Sequence, residues 1–253
     1  MSDRIPAPRL EVCAETLQAC STAFHGGAHR IEICAALAQG GLTPSHGLIR
    51  GAIDAANGLP VFVLLRPRPG NFVYSNDEFK MMCADLDHAA AIGASGFVAG
   101  ILTPQRIIDE ARMSALIRLA GTKEVTFHRA FDHTPNLKQS LEQVIAIGCR
   151  RLLTSGGHPA VRDGMHNIAD LSKQAGTRLR IAAGGGVTPE IARRLRRLAD
   201  VDLHVSLRPR TADSDGTQSD PLWNPGNESA EISLADVQRM AAILNECEAR
   251  NAL

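Results

Sequence analysis

Short apolar runs alternate with longer amphipathic stretches along most of the chain, and this alternation constrains the fold more than any other feature. The stretches 77–92 and 137–147 carry apolar residues at helical spacing, and Gly93 and Gly148 supply their C-terminal stops. A repeated strand and helix order predicts a parallel sheet covered by helices. Eight runs are predicted as strands, at 10–13, 30–34, 61–66, 96–102, 125–129, 151–155, 179–183 and 203–207.

The length of 253 residues suits an eightfold barrel that folds as one unit. We therefore predict an α/β fold, a single (β/α)₈ TIM-like barrel domain over 1–253 with parallel strands and outer helices. The alternative is a doubly wound open sheet, which normally carries a GxGxxG loop after its first strand, and that loop is missing here. An irregular segment at 211–231, before a last helix predicted from Ser233, is expected to be either a lid or disordered.

The balance of charges and the positions of the cysteines indicate which kinds of partner and which cellular compartment to expect. The chain has 27 basic and 27 acidic side chains and a formal net charge of zero, so no overall field attracts nucleic acid or an anionic membrane. No apolar run approaches the roughly 20 residues that span a bilayer, and the start lacks the order of a signal peptide. The six scattered cysteines form no CxxC and are expected to be free thiols. We expect a cytoplasmic protein whose partner is a small molecule or an ion.

The first two predicted strands both read ExC. Glu11 and Cys13 share a parity on the first strand, and Glu32 and Cys34 share a parity on the second. Inward side chains near the C-terminal ends of barrel strands point into the mouth, where function is expected. Cys13 and Cys34 should therefore lie close together, with both glutamates one layer deeper. Two thiols favour Cu(I) and are too few for a closed zinc site. The alternative is that both thiols pack as small buried hydrophobes.

Further polar residues are expected at the same mouth. Buried glutamates need partners, and Arg66 and Arg68 of the RPRPGNFVY run are candidates, in a structural ion pair or in a site. The fifth strand ends in TFHRAFD, where His128 is a candidate for proton transfer, facing both glutamates and Arg66, or a satisfied core histidine. Arg129 and Asp132 follow it at the mouth.

Two glycine-rich strand ends predict anion binding. Ser155 and Gly156 lie in TSGG after the sixth strand, and Gly185 and Gly186 lie in AAGGG after the seventh. Backbone N–H groups of such loops cradle phosphate or carboxylate, although glycines also serve tight turns with no ligand. His204 on the eighth strand has the inward parity and adds an imidazole.

Several long motifs occur together and in order, and they carry a resemblance. LEVCAET, HRIEICAALAQGGLTPSHG, LLRPRPGNFVYS, TFHRAFD and LLTSGG followed by GGGV resemble the CutC family, long named copper homeostasis proteins, from about residue 10 to residue 206. The resemblance implies a cytosolic TIM-like barrel that often self-associates. It also implies that Cys13 and Cys34 match cysteines proposed as Cu(I) ligands. The chain departs from the family where Asn71 replaces the acid of RPRxGDF and where DLHVS replaces an EFHSS-like strand.

Two functions stay open at this point, beside a third in which the barrel is a scaffold without turnover. The first is Cu(I) binding by Cys13 and Cys34 in a homo-oligomeric protein, with copper as the only expected cofactor and no organic cofactor. The second is an isomerase, lyase or hydrolase acting on a small anionic or sugar-like substrate. Its predicted catalytic residues are Glu11, Glu32, His128 and His204. Its predicted substrate-binding residues are Arg66, Arg68, Arg129, Asp132, Ser155, Gly156, Gly185 and Gly186.

Overall fold

A computed structural model describes residues 9–207 and 231–251 and closes eight parallel strands into a barrel. The strands are β1 (Leu10–Ala14), β2 (Arg30–Ile33), β3 (Val61–Leu64), β4 (Gly96–Ala99), β5 (Glu124–Phe127), β6 (Arg151–Thr154), β7 (Arg180–Ala183) and β8 (Asp202–Val205). The α-helices of the described ranges are α1 (Leu17–His25), α2 (His46–Ala55), α3 (Asn76–Ala91), α4 (Glu110–Ala120), α5 (Leu137–Ala146), α6 (Val161–Ala175), α7 (Pro189–Leu198) and α8 (Leu234–Asn251).

Each strand pairs in parallel with the next, and β8 closes the sheet on β1. The closing register sets Leu10 opposite Leu203 and Glu11 opposite His204. The predicted (β/α)₈ barrel is therefore confirmed, and the open-sheet alternative is wrong. Closure matters for function because it brings the first and last strands, each with polar inward residues, side by side.

The eight predicted strands occur in the predicted order, but several end earlier than predicted. The run 61–66 was expected to stay extended, whereas β3 ends at Leu64. The reason is local: the backbone N–H of Arg66 donates to the hydroxyl Oγ1 of Thr43, 2.8 Å away, so this residue leaves the sheet for the loop after β2. Polar caps begin most helices, and Ser75 and Glu78 form a reciprocal capping box at the start of α3.

Alternation along the strands divides the apolar residues into two cores. Residues of outward parity, such as Val12, Ile31 and Ile33, pack under the helices in the large core between sheet and helix layer. Residues of inward parity form a second, smaller cluster inside the barrel, made of Cys13, Cys34, Phe62, Leu64 and Val98. The two thiols are thus part of the barrel interior, as the strand parity predicted.

The last helix completes the helical layer. A Cβ atom at Gly26 would overlap Val237, so the glycine that ends α1 permits the close approach of α8. α8 begins at Leu234, one residue after the predicted start. The irregular segment predicted at 211–231 lies outside the described residues except for Glu231, and the single domain over 1–253 stays a prediction. Within the described ranges, no helix is both long enough and apolar enough to cross a membrane.

Candidate functional site at the barrel mouth

The two strand-end thiols lie in contact. Cys13 Sγ and Cys34 Sγ are 3.7 Å apart, and both side chains are buried. Cys13 Sγ also lies 3.9 Å from Glu32 Oε1. The contact with Cys34 and burial raise the pKa of the Cys13 thiol well above its usual value. The approach of the thiols expected from the two ExC sequences is therefore present.

The expected layering of the two glutamates was wrong. Adjacent strands of the barrel are staggered, so Cys13 pairs with Glu32 while Glu11 pairs with Arg30. Glu11 lies one layer below Cys13, whereas Glu32 lies level with Cys13 and one layer below Cys34, so the two glutamates do not share a layer. The consequence is chemical, because the Glu32 carboxyl group and the Cys13 thiol share one layer.

His204 reaches the mouth from β8, where it pairs with Glu11. Its Nδ1 lies 2.7 Å from Glu11 Oε1 and 4.0 Å from Glu32 Oε2. Cys13, Glu32 and His204 each offer a ligand atom within 4.8 Å of the other two. We call these three residues and Cys34 the mouth cluster. It combines two sulfur donors, one oxygen donor and one nitrogen donor.

The two carboxyl groups of the site have opposite electrostatic environments. Burial alone would raise the pKa of Glu11, but Arg151, Arg30 and the hydrogen bond with His204 outweigh it and hold the pKa well below its usual value. Glu11 is therefore ionised and only accepts hydrogen bonds, so His204 Nδ1 carries the proton that it donates. Burial raises the pKa of Glu32, and the neighbouring His204 offsets only part of that rise. Oε2 of Glu32 is buried without a hydrogen-bond partner among the described residues.

A layer of buried charge lies beneath the mouth cluster, and the sequence interpretation missed most of it. Arg30 Nε and Arg151 Nη1 each lie 2.5 Å from Glu11 Oε2. Arg30 also pairs with Glu124 at 2.7 Å, and Arg151 pairs with Asp202 at 2.9 Å. The sequence did carry a signal for Arg30 and Arg151, because each begins a strand and has the parity whose side chains point into the barrel. We call these five residues the charged floor of the barrel.

The suggestion that Arg66 and Arg68 pair with the site glutamates was wrong. The Arg66 guanidinium donates to the carbonyl oxygens of Gln39, Gly41 and Gly70, at 2.9 to 3.0 Å. Arg68 instead pairs with Glu78 on α3. Both arginines lie beyond the end of β3, so their side chains hold the mouth loops while the charged floor neutralises Glu11.

His128 lies at the other side of the mouth and is held as a neutral imidazole. Its Nδ1 accepts a hydrogen bond from the Ala130 N–H at 3.1 Å, and its ring stacks at a tilt on Phe72. Burial and the charge of Arg66 lower the pKa of His128 to about 3. Since Nδ1 accepts, Nε2 carries the proton, and this buried atom has no hydrogen-bond partner among the described residues. The structure thus groups His128 with Arg66 and separates it from the glutamates.

Arg129, Asp132 and Ser155 form one network with the loop after β6. Arg129 Nε pairs with Asp132 at 2.9 Å, and Arg129 Nη2 donates to the Ser155 hydroxyl at 2.7 Å. Asp132 also accepts from the N–H groups of Ser155 and Gly157 at 3.0 to 3.1 Å, and the Gly156 N–H donates to the hydroxyl of Thr154. A carboxylate of the chain itself therefore occupies the amide cradle predicted for an anion at this loop.

The glycine loop after β7 keeps its amides available. Gly185 and Gly186 have φ values of 101° and 84°, in the left-handed region that favours glycine. A Cβ at Gly185 would lie 3.1 Å from the Arg129 guanidinium. Neither N–H group donates to an acceptor within 9–207 or 231–251. Of the two predicted anion cradles, this one fits better.

A closed barrel of eight parallel strands, with sulfur, carboxylate and imidazole donors at its mouth, defines a TIM-like barrel with a candidate metal or acid–base centre. Residues 8–209 match the CutC family, and the chain belongs to that family. A family protein CutC of Pasteurella multocida (strain Pm70) is 42% identical over 199 residues, which are 78% of this chain and 81% of the relative. One of Histophilus somni (strain 2336) is 37% identical over 236 residues, or 92% of this chain and 97% of the relative.

Solved structures show the same fold. A CutC from Streptococcus agalactiae, described as a copper homeostasis protein, superposes with a TM-score of 0.74 at 33% identity, covering 78% of this chain and 98% of that chain. A thiamine phosphate pyrophosphorylase from Pyrococcus furiosus superposes with a TM-score of 0.60 at 13% identity, over 94% of this chain and 96% of that chain. The second likeness shows the barrel fold alone.

Proposed function

We propose that the chain is a copper homeostasis protein that binds Cu(I) through Cys13 and Cys34 of the mouth cluster. The observation that carries this proposal is the 3.7 Å contact between the two buried sulfur atoms. Thiolates prefer soft ions, and Cu(I) is the softest of the common candidates. The description of the Streptococcus agalactiae relative as a copper homeostasis protein supports the same function.

The spacing of the sulfur atoms favours a bent site. Two metal–thiolate bonds of about 2.3 Å to one ion, with sulfurs 3.7 Å apart, enclose an angle of roughly 107° at the ion. Such an angle leaves a third position open on one side of the ion. Glu32 and His204 lie beside Cys13, and the unpartnered Oε2 of Glu32 suits that position. Binding through thiolates releases their protons, so affinity should rise with pH.

Competition with a colorimetric Cu(I) chelator under anaerobic conditions tests this proposal. We expect the wild-type chain to bind one equivalent of Cu(I) and the Cys13→Ser/Cys34→Ser variant to lose that binding. Cys83→Ser is the matched control, because Cys83 lies half-buried on α3 and away from the mouth cluster, and it should bind as wild type. Unchanged affinity in the Cys13→Ser/Cys34→Ser variant would overturn the proposal.

We propose as a second candidate that the barrel is an enzyme acting on a small anionic or sugar-like substrate. The observation that favours it is the position of His204 between two carboxyl groups, at 2.7 Å from Glu11 and 4.0 Å from Glu32. Environments that push the pKa values of two carboxyl groups apart commonly mark an acid and a base. Glu11 would orient His204, and Glu32 would give a proton to the substrate or take one.

The remaining predicted residues would either hold an anionic group of the substrate or brace the loops around the site. The amides of Gly185 and Gly186 and the unpartnered Nε2–H of His128 would hold an anionic group. Arg66, Arg68, Arg129, Asp132, Ser155 and Gly156 would act through the loops that they brace. Isomerisation, lyase chemistry and hydrolysis all suit such a set.

A turnover screen with a library of small metabolites tests the second candidate. We expect turnover by the wild-type chain and a strong loss in Glu11→Gln, Glu32→Gln and His128→Ala. A circular dichroism spectrum of each variant separates lost chemistry from lost folding. Absence of wild-type turnover, or turnover that is insensitive to all three changes, would contradict this candidate.

We also propose a cytoplasmic location and self-association. Cys13, Cys20, Cys34, Cys83 and Cys149 are free thiols, which fits a reducing compartment, and the family resemblance supports an oligomer. Cell fractionation checks the location, and light scattering after size exclusion checks the mass. A monomer mass at high concentration would contradict self-association.

A further inference from the structure

Two exposed histidines on neighbouring helices form a second group of potential metal ligands, outside the barrel. His46 is the first residue of α2, and His88 lies in the last turn of α3. His46 Nδ1 and His88 Nε2 are 2.8 Å apart, with ring centroids 4.9 Å apart. Both rings are open to solvent, so an ion in water reaches them directly.

The distance between the two nitrogens indicates which geometry they fit. Imidazole nitrogens lie about 2.0–2.1 Å from a bound transition metal. Two such bonds at right angles place the nitrogens about 2.9 Å apart, whereas a tetrahedral angle needs roughly 3.4 Å. The 2.8 Å observed is therefore close to adjacent positions of a square-planar or tetragonal site. That geometry is typical of Cu²⁺ and Ni²⁺ with nitrogen and oxygen ligands.

The two helices fix the backbone positions of both histidines. Ile49, one turn after His46, and Ala89, next to His88, are buried against the core. One turn further along α2, Ile53 Cδ1 would lie 3.9 Å from a Cβ at Gly93, two residues after the end of α3, so α2 also approaches the loop that follows α3. A site on rigid elements loses little side-chain freedom when it binds an ion.

Charge near the pair also suits a cation. Asp85 lies three residues before His88 on α3 and is half-buried. Burial raises the pKa of Asp85, and His88 is near enough to lower it again in part. A divalent ion at the histidines would therefore lie within electrostatic range of this carboxyl group.

We propose that His46 and His88 bind one divalent transition ion of tetragonal preference, Cu²⁺ or Ni²⁺, on the helix layer. Each histidine contributes one neutral nitrogen, and its other ring nitrogen carries the proton, so no net proton is released from a neutral pair. Water completes the coordination. This inference does not rest on Cu(I) binding by the mouth cluster, because it uses other residues and another oxidation state.

Titration calorimetry with NiCl₂ on the tag-free Cys13→Ser/Cys34→Ser chain tests the proposal without contribution from the mouth thiols. We expect one Ni²⁺ per chain and an affinity that falls at least about tenfold in His46→Gln and in His88→Gln, since even second-shell changes cost 10- to 100-fold. His166→Gln changes an exposed histidine of α6 and should leave the affinity unchanged.

Thermal unfolding with and without Ni²⁺ gives a second readout, because an ion that binds only the folded state raises Tm. The rise should occur in the Cys13→Ser/Cys34→Ser chain and disappear when His88→Gln is added. Equal Ni²⁺ affinity with and without the two histidines would overturn the proposal. So would absence of binding in the parent chain, which would leave the pair an N–H···N hydrogen bond only. Neither result bears on Cu(I) binding at the thiols.

Discussion

Glu11 keeps its charge in the barrel interior because two buried guanidinium groups face the same carboxylate oxygen. Arg30 and Arg151 are almost fully buried, so neither has water as an alternative partner. Burial opposes the charge of Arg151, but Glu11 and Asp202 outweigh it and raise its pKa above the usual value. Such a group stabilises the fold only as a complete set, because removing one partner leaves a buried charge uncompensated.

Arg151→Met should therefore strongly destabilise the protein. It removes the cation between Glu11 and Asp202 while keeping similar volume, and a loss of about 3–5 kcal/mol in the free energy of unfolding is expected. Urea denaturation measures it. Arg178→Met is the matched control, because the pair of Arg178 with Glu142 is solvent-exposed and should matter far less. Equal losses in the two variants would show that burial of the charged floor contributes nothing.

The packing of α6 on the loop after β6 depends on one glycine, Gly164. A Cβ at Gly164 would overlap the backbone oxygen of Ser155, so α6 packs directly on the loop after β6. Asn167 fixes the same contact by donating to the Gly156 carbonyl at 2.8 Å. Helix propensity and packing therefore oppose each other at this position.

Gly164→Ala tests which effect is larger. Alanine gains up to about 1 kcal/mol of helix propensity, but the backbone clash costs about 1–3 kcal/mol. We expect a net loss of stability, together with shifted amide resonances at Ser155 and Gly156. Gly47→Ala in α2 is the control, since a Cβ there meets nothing within 4 Å and should stabilise the protein. If Gly164→Ala stabilised as much as Gly47→Ala, the close packing would be refuted.

The difference between local and long-range structure explains which features the sequence could predict. Periodicity predicted the eight strands and their order, because alternation between apolar runs and helices is a local property. Parity correctly placed Cys13 and Cys34 together inside the barrel. The stagger between strands is not local, so the sequence placed Glu32 in the wrong layer. For the same reason it assigned the glutamates to Arg66, although Arg151 of a distant strand lies against Glu11. The substrate or metal roles of the mouth residues stay predictions.

The whole molecule combines a net charge of zero with buried ionisable groups whose pKa values are far from usual. Glu11 has a lowered pKa in the folded state, so its contribution is present at neutral pH and is lost only as the pH falls through that low value. His128 is buried neutral, with a folded pKa of about 3 against 6.5 for an ordinary histidine. The unfolded chain therefore binds a proton at His128 before the folded chain does. Both groups make the folded state sensitive to acid.

His128 should account for the earlier part of this acid sensitivity, since the loss begins where the unfolded histidine titrates. One pKa unit corresponds to about 1.4 kcal/mol, so stability should fall by roughly 2 kcal/mol between about pH 7.5 and pH 5 from this residue alone. Urea denaturation of wild type and His128→Asn at several pH values measures the difference. Asparagine can still accept from the Ala130 N–H but does not titrate, so the gap between the variants should shrink as the pH falls from 7.5 to 5. Parallel curves over that interval would show that His128 is protonated in the folded state as readily as in the unfolded chain.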